Sequence, residues 1–157
     1  MSPEALALID VDGVLNPHGS AACPAGYTEH ELFPGELVRV RPEHGPMLLR
    51  LAARYTLVWA TYWEDEANRL LAPLLGLPRL PVIPCAGPPG SGQDKLIGIA
   101  PWVADRPVVW FDDLHSAAAH EWAVSRSAPT RLIHVDPVGG LTDVHIDQAL
   151  MRARERS

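Results

Sequence analysis

Residues 5–16 read Ala5-Leu6-Ala7-Leu8-Ile9-Asp10-Val11-Asp12-Gly13-Val14-Leu15-Asn16. An unbroken apolar run, 5–9, stops at an acid, and a second acid and a glycine follow at once. A strand with one wet face would alternate apolar and polar residues. A continuous run suits a strand buried on both faces, as in a parallel sheet covered by helices.

Working outward, the same kind of run recurs. YTLVWAT at 55–61 reads as a second buried strand, LPVIP at 80–84 as a third, PVVWF at 107–111 as a fourth and RLIHV at 131–135 as the last. Helical patterns are read at 46–54, 64–76, 94–104, 116–126 and 141–155. Pro46 sits near the start of the first, acids crowd the first turn of the second and Gly76 follows its last apolar residue. Residues 17–45 are rich in Pro, Gly and His and have no helical period; within them ELFPGELVRV reads as a hairpin turning at Pro34-Gly35. Strands alternating with helices predict an α/β fold: a three-layer, Rossmann-like, mostly parallel sheet with helices on both faces. The chain, 1–157, is expected to form one domain, with a small hairpin flap inserted at about 17–45.

Composition narrows the function classes. With 47% hydrophobic residues the chain is globular rather than disordered. A net charge of -6 and the lack of a long basic run argue against a broad, sequence-independent nucleic-acid surface, though not against a small local contact. Cys23 and Cys85 are the only cysteines and form no C-x-x-C, so neither a disulfide framework nor a zinc ribbon is implied. The seven histidines show no metal-ligand spacing. No stretch approaches the ~20 apolar residues of a membrane span, and the opening run is too short for a secretory signal. A soluble cytoplasmic protein without membrane attachment is the expectation.

Ligands of open α/β sheets sit beyond the carboxyl ends of the strands. There the sequence puts Asp10 and Asp12 after the first strand, Thr61 at the end of the second, and Asp112 and Asp113 after the fourth. Lys95 opens the helix before that fourth strand. Its approach, Cys85-Ala86-Gly87-Pro88-Pro89-Gly90-Ser91-Gly92-Gln93-Asp94-Lys95, resembles a phosphate-binding loop only superficially. Gln93 and Asp94 separate the last glycine from the lysine, and Leu96 replaces the required hydroxyl. Taken singly, each acid reads more readily as a turn or cap residue than as a chemical one. Together they are costly: two carboxylates about 4 Å apart repel by roughly 4 kcal/mol at an effective dielectric of 20. A bound cation and Lys95 would relieve that, and hard carboxylate oxygens favour magnesium over zinc.

DVDGVLN, then Thr61 after an apolar strand, then Lys95, then WFDD resembles the four motifs of the haloacid dehalogenase-like (HAD) superfamily in their usual order, across about 100 residues from Asp10 to Asp113. Receiver domains use similar residues, but their acidic pair comes early and their lysine last. The resemblance implies a magnesium-dependent phosphohydrolase. Asp10 would be the nucleophile, forming an aspartyl-phosphate, and Asp12 the general acid and base. Mg²⁺ would be held by the Asp10 carboxylate, the Asp12 carbonyl and Asp112, with Asp113 in support. Thr61 and Lys95 would neutralise and orient phosphoryl oxygens. Superfamily dehalogenases lack a carboxylate at the Asp12 position, which favours phosphatase or phosphotransferase chemistry.

Many superfamily members carry a cap domain. Here the insert after the first motif is hairpin-sized and only a short loop precedes Lys95, so no separate cap domain is expected, at most a flap. An open site fits a large substrate, such as a phosphoprotein or a nucleic-acid end, or a site covered by a partner subunit. WATYWEDEAN is similar to a small capless branch with domains associated with RNA repair, which makes a polynucleotide end a candidate substrate that the acidic charge disfavours. Asn16, His18, Tyr62 and Trp63 are candidate pocket residues, whereas Trp59, Trp102, Trp110 and Trp122 are assigned to core packing. A non-catalytic phospho-ligand-binding module and a phosphotransferase are the competing functions.

Overall fold

The computed structural model describes residues 4–155; residues 1–3 and 156–157 of the expected domain lie outside the described residues. Its elements follow in the order β1 (Leu6–Ile9), β2 (Thr28–Phe33), β3 (Glu36–Val40), α1 (His44–Leu51), β4 (Thr56–Trp59), a π-helical turn (Ala67–Leu71) running into α2 (Ala72–Leu75), α3 (Leu96–Val103), β5 (Val108–Asp112), α4 (Ala117–Ser125), β6 (Thr130–His134) and α5 (Asp143–Glu155). The four strands β4-β1-β5-β6 form a wholly parallel sheet, and β2 and β3 pair separately as an antiparallel hairpin.

The uninterrupted apolar runs are explained by period-2 alternation between two covered faces. Ala7, Ile9, Leu57, Trp59, Val109 and Phe111 enter one cluster with Leu48 and Leu51 of α1, Ala72 of α2 and Ile146 of α5. Their alternating neighbours Leu6, Leu8, Val58, Ala60, Val108 and Trp110 enter a second with Ile99 of α3 and Ala119 of α4. The layers are therefore helix, sheet, helix. On the first face α1 approaches α2 so closely that a Cβ on Gly45 would stand 1.9 Å from the Leu75 carbonyl oxygen.

Two expectations are corrected. LPVIP at 80–84 is not a strand: Val82 makes only an isolated parallel bridge to Trp59. Pro81 and Pro84 have no N–H to offer a ladder, so pairing stops after the bonds from Trp59 N to Pro81 O and from Ile83 N to Trp59 O. The segment 64–76 is not one regular α-helix but turns that widen into the π-helical stretch before α2. The buried Asn68 explains this detour. Its Oδ1 accepts from Trp59 Nε1 and Leu80 N, both at 2.8 Å, and its Nδ2 donates to Leu80 O at 2.8 Å. The widened turn thereby pins the non-strand segment to β4. Among the described residues, no helix is long and apolar enough to cross a membrane.

One buried polar group makes stability pH-dependent. His44 in α1 is fully buried; its Nε2 lies 3.0 Å from Leu141 O, and its Nδ1 has no hydrogen-bond partner among the described residues. Nε2 therefore carries the proton and donates it, and a second proton would enter a dry, unpartnered position. Burial pushes the imidazole down to about 4. The unfolded chain takes up this proton near pH 6.5, so between those values it binds more protons than the folded protein. His44 thus subtracts stability as pH falls through 6.5, and the loss saturates below about 4. Unfolding by urea at pH 7.5 and pH 5 should differ through this residue by about 2 kcal/mol. His44→Gln should remove that share of the slope; an unchanged slope would contradict the assignment.

Candidate active site

The register of the sheet assembles the site. Ile9 pairs with both Trp59 and Phe111, so the chain leaves β1, β4 and β5 at one level. Asp10 follows β1 directly, Asp112 closes β5 beside it, and Thr61 comes two residues past the end of β4. Asp10 N donates to Phe111 O at 3.3 Å and Ala60 N to Ile9 O at 2.9 Å, which continues the ladder to the edge where the side chains emerge. Lys95 enters from the start of α3, whose first turn is fixed by Asp94 Oδ1 accepting from Leu96 N at 3.0 Å.

Lys95 is the only lysine of the chain. Its buried ammonium lies 3.0 Å from Asp10 Oδ1 and donates to Asp112 Oδ2 at 2.8 Å. Asp112 is held further by Trp110 Nε1 at 3.2 Å and Leu114 N at 3.1 Å, and Asp10 by Val11 N at 2.8 Å. One cation thus serves two buried carboxylates. Burial pushes Asp10 well above the usual carboxylate range; Lys95 opposes this and the Asp112 charge adds to it. Burial would raise Asp112 as well, but the charge and hydrogen bond of Lys95 outweigh it and hold that carboxyl low. Asp113 is raised by burial, then by its hydrogen bond to Asp112 and the Asp112 charge.

Oxygen atoms of Asp10, Asp112 and Asp113 all lie within 4.8 Å of one another. This cluster can hold a metal ion, and it suits one on chemical grounds. All three donors are hard oxygens, and the site has more carboxylate than Lys95 can neutralise. The glycine of the first motif makes the cluster possible: Gly13 has φ +87°, and a Cβ there would stand 2.3 Å from Asp113 Cγ. No histidine belongs to a candidate metal group among the described residues.

Asp12 stands apart from that cluster. Its Oδ1 accepts from Asn16 Nδ2 at 2.9 Å and its Oδ2 from Trp63 Nε1 at 3.1 Å. Both donors lean on the hairpin. Asn16 Oδ1 accepts from Arg39 N of β3 at 2.9 Å, and the Trp63 ring meets Phe33 of β2 edge-on at 4.8 Å. The hairpin thereby orients Asp12. Asn16 and Trp63, expected in the pocket wall, reach the site only through this carboxylate.

A cavity of about 390 Å³ opens over these groups, lined by Asp10, Asp12, Thr61, Lys95, Asp112 and Asp113 and also by His18 and Tyr62. His18 Nε2 is 3.8 Å from Asp113 Oδ2. The backbone N of Trp63 donates to Thr61 Oγ1 at 3.2 Å. Cys85 lies beneath, its Sγ 3.6 Å from Thr61 O, and burial pushes its thiol up to about 11, so it stays protonated and inert. Gly92, Asp94, Trp110, Leu114 and Ser116 also line the cavity and are not among the candidates named from the sequence. Asp94 was read only as an interruption of a phosphate loop. Trp110 was assigned to the core, yet it also lines the cavity and donates to Asp112. The signal was available: residues i and i+2 of a strand share a face.

A parallel α/β sheet whose strand ends bring acids, a threonine and a lysine around one acidic cavity is the architecture of a HAD-like protein. The chain belongs to that superfamily: residues 6–146 match the family described as HAD domain in Swiss Army Knife RNA repair proteins. No curated protein matches the chain.

Proposed function

We propose that the chain is a Mg²⁺-dependent phosphohydrolase that cleaves a phosphate monoester through an aspartyl-phosphate on Asp10, with a terminal phosphate of a nucleic acid as its substrate. The observation that carries this is the position of the Asp10 carboxylate. It ends the central strand, faces the cavity, and sits 3.0 Å from Lys95 within the Asp10–Asp112–Asp113 cluster. The family description, with its RNA repair context, supports the substrate class.

In this reading an Asp10 oxygen forms a bond to phosphorus as the bond to the ester oxygen breaks. The leaving oxygen takes its proton from Asp12. A water then attacks phosphorus, giving a proton back to Asp12. The bond between phosphorus and the Asp10 oxygen breaks, which releases inorganic phosphate and restores the Asp10 carboxylate and the protonated Asp12. Asn16 and Trp63 each hold one Asp12 oxygen, so the acid is oriented before substrate arrives. Lys95 and Thr61 face the oxygens of the transferred group, where charge rather than covalent help is needed. Asp10, Asp112 and Asp113, with the Asp12 carbonyl, would hold magnesium, which supplies charge neutralisation at the phosphoryl oxygens when bound.

The test is release of inorganic phosphate from an activated aryl phosphate and from 5′- and 3′-phosphorylated oligoribonucleotides. Turnover should need magnesium, vanish with chelator and return when magnesium is restored. Turnover indifferent to chelator would contradict the metal assignment, and binding without phosphate release would favour a phospho-ligand-binding module.

A further inference from the structure

A second cleft, of about 280 Å³, adjoins the acidic cavity and shares Tyr62 and Gly92 with it. Its other walls come from residues 86–90 of the loop that leads to Lys95, among them Pro88 and Pro89. The two cavities differ sharply. Among the described residues, the acidic one is lined by five carboxylates, Asp94 included, and by no arginine. The second, among the same described residues, has no ionisable group except the Tyr62 phenol.

Tyr62 forms the partition and is held in place. Its hydroxyl donates to Gln93 O at 2.7 Å, and the Lys95 ammonium lies 5.0 Å from its ring centroid. Yet Tyr62 is 51% exposed. An aromatic ring fixed at its polar tip and open to solvent has already lost the rotamer freedom that stacking would otherwise cost. The loop opposite is tied down as well, with Ala86 N donating to Glu64 Oε2 at 3.1 Å.

We propose that this cleft is a nucleobase shelf: the base of the terminal nucleotide stacks on Tyr62 while its phosphate enters the acidic cavity. This rests on the phosphohydrolase reading above and adds the part of the substrate that is recognised. Charge complementarity selects the occupant. A flat, uncharged ring suits a neutral wall of glycine, proline and tyrosine, and bases stack on aromatic side chains whatever their identity. A second phosphate of an extended strand would meet the carboxylates of the rim with no arginine to receive it. The site therefore takes one terminal nucleotide, with little preference among bases and little dependence on strand length.

Calorimetric binding in the presence of magnesium tests this without requiring turnover. The probes are adenosine 5′-monophosphate, adenosine 3′-monophosphate, ribose 5-phosphate and a phosphoserine peptide. At least one adenosine monophosphate should bind about tenfold or more tightly than ribose 5-phosphate. Tyr62→Leu should erase that difference and leave ribose 5-phosphate within about twofold, while Tyr62→Phe, which keeps the ring but loses the bond to Gln93 O, should retain most of it. Equal binding of nucleotide and sugar phosphate by the unaltered protein, or no binding of either, overturns the shelf. Parallel loss of both in Tyr62→Leu also overturns it, because the ring would then only support Lys95. A phosphoserine peptide that outcompetes both nucleotides assigns the cleft to a protein substrate instead. Base-dependent binding without phosphate release would leave the shelf standing and remove the phosphohydrolase reading.

Discussion

Asp10→Asn should lower magnesium-dependent phosphate release by on the order of 10⁴-fold or more, because the amide cannot act as nucleophile. The same change should not unfold the protein. Asp10 is a buried carboxylate whose ionised form burial disfavours, beside a second acid that shares its only lysine. Asn keeps the shape, removes the repulsion from Asp112 and leaves Lys95 to that partner alone. The expected result is a melting temperature equal to or above that of the unaltered protein, together with lost turnover, the signature of a site that trades stability for chemistry. Phosphate release above a tenth of the original would remove Asp10 from its role. Lost activity with a collapsed fold would mean that it acts mainly in packing.

Lys95→Met is the second large effect, and it separates charge from packing. Methionine fills much of the same volume but leaves Asp10 and Asp112 buried with no counter-charge. Breaking a buried ion pair by removing one partner costs about 3–5 kcal/mol. For a chain of this size that is a fall in melting temperature of about 10 °C. Turnover should fall roughly 10²–10³-fold, as when one preorganised electrostatic contact to the transition state is lost. Magnesium gives the sharper readout. If the three carboxylates bind it, the ion supplies the positive charge that Lys95 no longer gives Asp10 and Asp112, and should raise the variant's melting temperature by more than it raises that of the unaltered protein. Equal magnesium-induced gains in both proteins would contradict a shared site for Lys95 and the metal.

Much of this site was legible because strand ends punctuate sequence. Asp10 and Asp112 each close an apolar run, and parallel pairing then brings those run ends to one level. Lys95 was found by its place before the fourth run. The rest depends on contacts that no local pattern encodes. Asn16 and Trp63 are expected to line the pocket; that each holds an Asp12 oxygen follows from the hairpin behind them, Arg39 N against Asn16 and Phe33 against the Trp63 ring. LPVIP had the apolar content of a strand, but its two prolines remove the donors that a ladder needs. The π-helical turn was equally hidden, since it is set by the reach of Asn68 across to Trp59 and Leu80.

The central claim is that Asp10 becomes covalently phosphorylated in an acid cluster assembled from separate strand ends. Acid quenching during turnover of an activated aryl phosphate, followed by peptide mass mapping, tests it most directly, and Asp12→Asn should prolong the life of the adduct by removing the base that activates water. One phosphoryl group on the peptide carrying Asp10, released by hydroxylamine as an acyl phosphate, is the predicted result. Steady phosphate release with an unmodified Asp10 peptide, or with the group on another residue, would contradict the account.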